Sequence, residues 1–136
     1  MSVADTGFLV AVVNASEENH HRCVAAMHDL SSRMITTWAV VTEGMHLLRN
    51  RMGWRGQERL WTLVERAVDL REVTPPMRGR ARALMTTYRD LPMDLADATL
   101  IALAEAESDY EILTLDAHFR VYRPIGRDAF DILPEP

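Results

Sequence analysis

The sequence predicts an α/β domain with a mainly parallel sheet. Short β-branched and apolar stretches alternate along the chain with longer segments of helical periodicity. Strands separated by helical stretches imply parallel neighbours, because parallel pairs need crossover connections and those are usually helices. A length of 136 residues with 48% apolar and 26% charged residues suits one soluble core and excludes a disordered chain.

The elements follow in order. Ser2-Val3-Ala4 reads as a strand ending at Asp5, and Phe8, Leu9, Val12 and Val13 then fall at helical spacing. Ser16 is the expected N-cap of a second helix, with Glu17 and Glu18 in its first turn and Cys23, Met27 and Leu30 as its apolar stripe. Met34-Ile35-Thr36 is the second strand. Thr36 or Thr37 caps a third helix carrying Val40, Val41, Met45, Leu47 and Leu48, which Gly53 ends. Residues 55–69 form an amphipathic fourth helix with Leu60, Leu63, Val64, Ala67 and Val68 on one side. Leu70–Thr74 reads as a third strand stopped by Pro75-Pro76, and Met77, Ala81, Leu84, Met85 and Tyr88 mark a fifth helix closed by Leu91-Pro92. Residues 94–107 form a sixth helix, Ile112–Leu115 a strand that ends on Asp116, and Ala129–Leu133 a final strand. There is no internal repeat or linker, so residues 1–136 are read as a single domain.

Composition excludes several functions. Charges or polar groups interrupt every apolar run after about ten residues, too few to cross a membrane. Asp5 sits in the apolar opening with no basic stretch before it, so a secretory signal peptide fits badly and a cytoplasmic location is expected. Cys23 is the single cysteine, which removes internal disulfides and cysteine-rich metal sites, and the five histidines lack zinc-site spacing. The net charge of −5 argues against wholesale wrapping of nucleic acid but leaves room for a local basic face. All fifteen basic residues are arginine, so no mechanism can use a lysine.

Open sheets of this class bind ligands beyond the carboxyl ends of their strands, where strand order reverses. Asp5 and Asp116 stand at such ends and Asp97 near the start of the sixth helix. Glu43 joins them if the third helix begins near Thr37, on a side otherwise lined by Val40 and Leu47. Taken singly, each acid has an ordinary explanation as a cap, a turn former or a partner of the helix dipole. Taken together, carboxylates crowded in one cleft cannot all stay ionised without a cation, and there is no lysine or obvious buried arginine to serve. Hard oxygen ligands suit Mg²⁺ or Mn²⁺, and such ions assist phosphodiester hydrolysis. Asp94 shares the helix face of Asp97 and fits two roles, accessory ligand or N-cap.

Ala4-Asp5-Thr6-Gly7 before Leu9-Val10-Ala11, Thr42-Glu43, Met93-Asp94-Leu95-Ala96-Asp97-Ala98, and Leu113-Thr114-Leu115-Asp116 before His118-Phe119 resemble the successive blocks of PIN-domain ribonucleases, in family order over almost the whole chain. The nearest likeness is to the VapC toxins of bacterial toxin–antitoxin pairs. The resemblance implies a three-layer α/β/α sandwich whose acidic pocket binds Mg²⁺ or Mn²⁺ and cleaves RNA. By position, Asp5, Glu43, Asp97 and Asp116 are its metal-holding, catalytic acids, with Thr114 and Thr6 as accessory hydroxyls. It also implies positive charge for the RNA backbone, with Arg49, Arg51, Arg55, Arg59, Arg120 and Arg123 as candidates, although arginines on amphipathic helices also serve as solvated faces paired with glutamates. Trp54 is a candidate for base stacking, whereas Trp38, Trp61 and the methionines read as core or dimer interface. A homodimer and a cognate antitoxin are implied by likeness alone.

Rival readings fail on particular residues. A haloacid-dehalogenase-type phosphatase needs a second aspartate where Gly7 stands, and it and a response-regulator receiver both need a lysine; a P-loop has no glycine-lysine signature here. The alternative that stays open is a catalytically inactive PIN-like module that binds RNA or protein.

Overall fold

The strand order in space is 3-2-1-4-5, with every neighbouring pair parallel. The computed structural model describes residues 1–136, and in chain order the elements are β1 (Ser2–Ala4), α1 (Thr6–Val13), α2 (His20–His28), β2 (Met34–Thr37), α3 (Trp38–Met52), α4 (Trp54–Ala67), β3 (Val68–Arg71), α5 (Pro75–Thr87), α6 (Leu95–Glu107), β4 (Glu111–Leu113), a 3-10 turn (Ala117–Arg120) and β5 (Asp131–Leu133). The register sets Val3 beside Ile35 and Ile112, and Ile112 beside Ile132. β1 therefore lies at the centre, and strand order reverses between β1 and β4.

The chain steps outward from β1 to β2 to β3 through α1–α4 and returns across the sheet to β4 through α5 and α6. Right-handed crossovers in opposite directions place the two helix groups on opposite faces, which produces three layers. Helix α6 is buried on every side from Ala96 to Ala104, and so it is apolar all round rather than amphipathic. The core of β1, β2, β4, α1 and α6 joins Val3, Phe8, Leu9, Ile35, Leu100, Ile101, Leu103 and Ile112, all at 1% exposure or less. Helices α3 and α4 meet through a glycine: a Cβ on Gly56 would stand 2.8 Å from the Met52 Cβ. Between them Gly53, at φ 67° and ψ −154°, occupies backbone space that is essentially glycine's alone.

Most boundaries agree with the sequence, and the differences have local causes. Ser16 does not cap α2. Its N–H donates to Asn14 Oδ1 at 3.0 Å in a turn, Glu17 pairs with Arg51, and the helix begins four residues later at His20 behind Asn19. The third strand spans Val68–Arg71 rather than Leu70–Thr74, because Val68 already pairs with Met34 and Thr74 instead caps α5, accepting from Met77 N–H at 3.4 Å ahead of the two prolines. β4 stops at Leu113, two residues before the expected end. Trp38 and Trp61 are not core: they stack edge-to-face at 6.4 Å on the surface, more than 40% exposed. Val40, Val41 and Leu48 are core. No helix is long and apolar enough to cross a membrane.

Candidate active site

Asp5 leaves β1 at its carboxyl end and turns directly into α1. Its Oδ1 accepts from the Thr6 N–H at 2.8 Å, capping α1 at its first N–H, and its Oδ2 accepts from Thr114 Oγ1 at 2.7 Å. The Thr114 hydroxyl in turn accepts from the Asp116 N–H at 3.0 Å. One buried threonine thus ties the end of β1 to the loop that follows β4, across the point where strand order reverses. Asp116 caps the 3-10 turn through the His118 N–H at 2.9 Å, with His118 Nδ1 3.3 Å from the same oxygen.

The other acids arrive from α3 and α6. Thr37 caps α3, which carries Glu43 to a half-buried position less than two turns in. Asp94 and Asp97 form a capping box at the start of α6: the Asp97 N–H donates to Asp94 Oδ1 at 2.8 Å, and Asp97 Oδ2 faces the Asp94 N–H at 3.5 Å. Asp94 is exposed, whereas Asp97 is 8% exposed. Beneath the acids, Thr37 and Thr99 share a hydroxyl hydrogen bond of 2.9 Å that joins β2 to α6, and Thr36 Oγ1 donates to the Ala4 carbonyl at 2.7 Å. Thr6 lies against α3, its hydroxyl 3.5 Å from the Val40 carbonyl. The sequence reading did not single out Thr36, Thr37 or Thr99 for this support; hydroxyls at a strand's carboxyl end were the clue available.

The acids sense one another electrostatically. Burial pushes the Asp5 carboxyl up to about 6, against the hydrogen bonds from Thr114 and Thr6 and with Asp116 and Asp94 adding to the rise. Glu43 goes up to about 7 through burial, then Asp94, then Asp5. Asp97 goes up to about 8, through burial first and then the charges of Asp5, Asp94 and Asp116. Asp5, Glu43, Asp94, Asp97 and Asp116 are therefore linked by mutual repulsion rather than spread through separate solvent regions. As the side chains stand, no three His, Cys, Asp or Glu residues close into a ready-made cage for an ion. The donor set nonetheless fits a hard divalent cation: it is all oxygen, and the strongest charges acting on it are its own members'.

The arginines divide into two groups. Arg49, Arg55, Arg59 and Arg120 are exposed and make no ion pair, whereas Arg51 is bound to Glu17 and Arg123 turns back to the Arg120 and Tyr122 carbonyls at 2.6 and 3.2 Å. Arg120 and Arg22 line a cleft of about 210 Å³ that also contains Thr114 and Asp116. Arg22, unmentioned in the sequence reading, is held there by Asn19 Oδ1 and the Glu135 carbonyl. Trp54 is 64% exposed at the start of α4. A roomier cavity of about 800 Å³ between α3, α5 and α6, with Ala39, Ala81, Met85 and Leu95 on its walls, holds none of the acids. Arg78, Arg82 and Arg89 are among its other lining residues.

Several known proteins are similar to this chain in sequence or fold. The chain is 29% identical over 134 residues to Ribonuclease VapC26 of Mycobacterium tuberculosis, covering 97% of this chain and 99% of that protein. The crystal structure of M. tuberculosis VapC20, a sarcin-ricin loop cleaving toxin, superposes with a TM-score of 0.80 at 20% identity over 86% of this chain and 91% of that one. VapBC2 of Rickettsia felis, bound to a DNA fragment from its promoter, superposes at 0.66 with 13% identity over 88% and 91%. A toxin–antitoxin complex from Klebsiella pneumoniae does so at 0.67 with 16% identity over 85% and 87%. These structural likenesses speak for the three-layer fold. Residues 2–123 match the PIN domain model, and the chain belongs to the PIN-domain family.

Proposed function

We propose that this protein is a divalent-metal-dependent endoribonuclease that hydrolyses RNA phosphodiester bonds, and that it is the toxin of a type II toxin–antitoxin pair acting in the cytoplasm. The observation that carries this reading is the meeting of Asp5, Glu43, Asp97 and Asp116 at the carboxyl ends of β1 and β4, with three of the four held above the ordinary carboxyl range by burial and by one another. Family membership and the likeness to a curated ribonuclease support it. The two toxin–antitoxin complexes among the solved likenesses support a cognate antitoxin partner, and a homodimer is part of the same reading.

Asp5, Asp97, Asp116 and Glu43 would hold Mg²⁺ or Mn²⁺, with Asp94 as an accessory ligand. Bound there, the ion supplies charge neutralisation at the phosphate and activation of water. The chain's own residues prepare the site. Thr114 orients Asp5 and the backbone of Asp116 at once, and the Asp94–Asp97 box fixes the first turn of α6. Glu43, at about 7, is a carboxylate able to take up a proton near neutral pH. Arg49, Arg55 and Arg120 are free to meet RNA phosphates, and Arg51 and Arg123 would first have to leave their present partners.

The test is cleavage of single-stranded RNA by the purified chain with Mg²⁺ or Mn²⁺, compared with Asp5→Asn and Asp97→Asn. Both variants should keep their circular dichroism spectrum and lose cleavage. Cleavage at the wild-type rate by both rejects the assignment, and a wild-type chain that binds RNA without cutting it establishes the inactive-module alternative.

A further inference from the structure

Tyr122 carries the one buried side-chain polar atom in the chain that lacks a hydrogen-bond partner. The residue has no exposed surface, and other buried hydroxyls are satisfied, Thr36 by Ala4, Thr37 by Thr99 and Thr114 by Asp5. An unpaired buried hydroxyl is destabilising, and phenylalanine would fill the same space without that penalty. The ring is not free to swing to water. It is clamped edge-to-face by Tyr88 at 5.0 Å and Phe119 at 5.3 Å, with His118 tilted against it at 6.3 Å, and its N–H donates to the His118 carbonyl at 3.1 Å. Tyr88 is not its partner in this arrangement: the Tyr88 hydroxyl accepts from the Arg123 N–H at 3.0 Å and makes no bond to the Tyr122 hydroxyl.

The charges that reach the phenol are those of the acidic pocket. After burial, the groups that most disfavour its ionisation are Asp97 first, then Asp116, Asp94 and Asp5, so it stays a donor at any ordinary pH. A protonated carboxyl is a weak attraction for that donor and an ionised one a strong one, because charge-assisted bonds are the shorter and stronger class.

We propose that Tyr122 is a positioning residue for Asp97: its O–H donates, directly or through one water, to the ionised Asp97 carboxylate and so holds one carboxylate oxygen back while the other faces the cation. This rests on the reading of the pocket as a cation site. Tyr122 touches neither substrate nor ion and acts through Asp97, in the manner of outer groups that orient metal-binding carboxylates.

The test is a double-mutant cycle on the full chain with Mn²⁺ as the probe, read by electron paramagnetic resonance, alongside thermal unfolding in chelator. Tyr122→Phe keeps every ring contact, and its Tm in chelator should equal or exceed that of wild type. Its Mn²⁺ affinity should fall about tenfold, the lower end of what loss of an orienting partner does. In the Asp97→Asn background the same change should alter affinity by less than about twofold, the range of independent sites. Equal loss in both backgrounds, or a Tm in chelator clearly below wild type, overturns the inference. If wild type and Tyr122→Phe bind Mn²⁺ alike, the inference falls and the cation site stands. If wild type binds none, both fall.

Discussion

Asp97→Asn should stabilise the metal-free protein at alkaline pH. In the folded chain the Asp97 carboxyl is raised from 3.8 to about 8, so between those values the folded state holds a proton that the unfolded state has shed. For a raised acid the consequence is a loss of stability as pH climbs from the unfolded value toward the folded one, after which the loss levels off. At ~1.4 kcal/mol per pKa unit, the loss attributable to Asp97 between pH 5 and pH 8 is at most about 4 kcal/mol. Part of the rise is repulsion shared with Asp5, Asp94 and Asp116, and water enters the cleft, so about half of that, ~2 kcal/mol, should vanish with the single substitution. Asparagine keeps the volume and can still accept from the Asp94 N–H, which preserves the capping box. For a chain of this length ~2 kcal/mol corresponds to about 6–10 °C in Tm. The assay is thermal unfolding by circular dichroism in EDTA from pH 5 to pH 8.5, on a variant that should also bind Mn²⁺ more weakly and have lost cleavage. The Tm advantage of the variant should widen by that amount across the range. Parallel Tm curves for variant and wild type would refute the placement of an ionisable Asp97 in a repulsive, buried pocket.

Mn²⁺ affinity should rise from pH 6 to about pH 8.5, because Asp5, Glu43 and Asp97, raised to about 6, 7 and 8, must lose their protons to act as ligands; calorimetry in buffers of different ionisation enthalpy should show about one to two protons released per ion at pH 7, and no release would contradict the raised values. Thr114→Val removes both the donor to Asp5 and the acceptor for the Asp116 N–H; it should lower stability by ~1–3 kcal/mol in denaturant titration and cleavage at least about tenfold, with Thr114→Ser restoring most of each. Arg55→Ala and Arg120→Ala should each weaken RNA binding and reduce the slope of log affinity against log salt by about 0.7, while Arg51→Ala, whose side chain is committed to Glu17, should change it less; equal effects from all three would mean that the Arg51–Glu17 pair opens in the complex.

Much of the site was readable in the sequence because its acids sit where the apolar pattern changes. Asp5 follows the short buried strand Ser2–Ala4 and Asp97 stands in the first turn of a buried helix rich in Ala and Leu, so a break in hydrophobicity marks each position. Asp116 is equally visible, although β4 ends earlier than its sequence suggests: the Thr114 N–H still donates to the Leu133 carbonyl at 2.9 Å, but its hydroxyl bonds Asp5 and the Asp116 N–H and turns the chain, a tertiary demand that β-propensity does not carry. The start of α2 was misplaced because Asn14 bonds its own downstream backbone, a competition between local side-chain bonds and helix capping that Ser16 could equally have won. Hydrophobicity assigns Trp38 and Trp61 to a core or an interface, and the core half fails because they stack edge-to-face at the surface. Tyr122 is invisible in the sequence, because nothing in the residues after the 3-10 turn indicates that a phenol from that segment is buried against Tyr88 and Phe119.

The ordinary and the functional readings of these acids, posed by the sequence as alternatives, turn out to describe one geometry. Asp5 caps α1, Asp94 caps α6 and Asp116 caps the 3-10 turn, each with one oxygen on a backbone N–H. A capping carboxylate is fixed in direction by that bond and retains lone pairs on both oxygens. Helix N-termini gathered at the carboxyl ends of β1 and β4 therefore point several pre-oriented carboxylates into one cleft, and the partial positive charge of those termini partly offsets their repulsion. Burial first, and then the repulsion that the dipoles do not offset, raises the protonation of Asp5, Glu43 and Asp97. A divalent ion is the remaining counter-charge, and removing one acid should make the empty fold more stable as it makes the site useless.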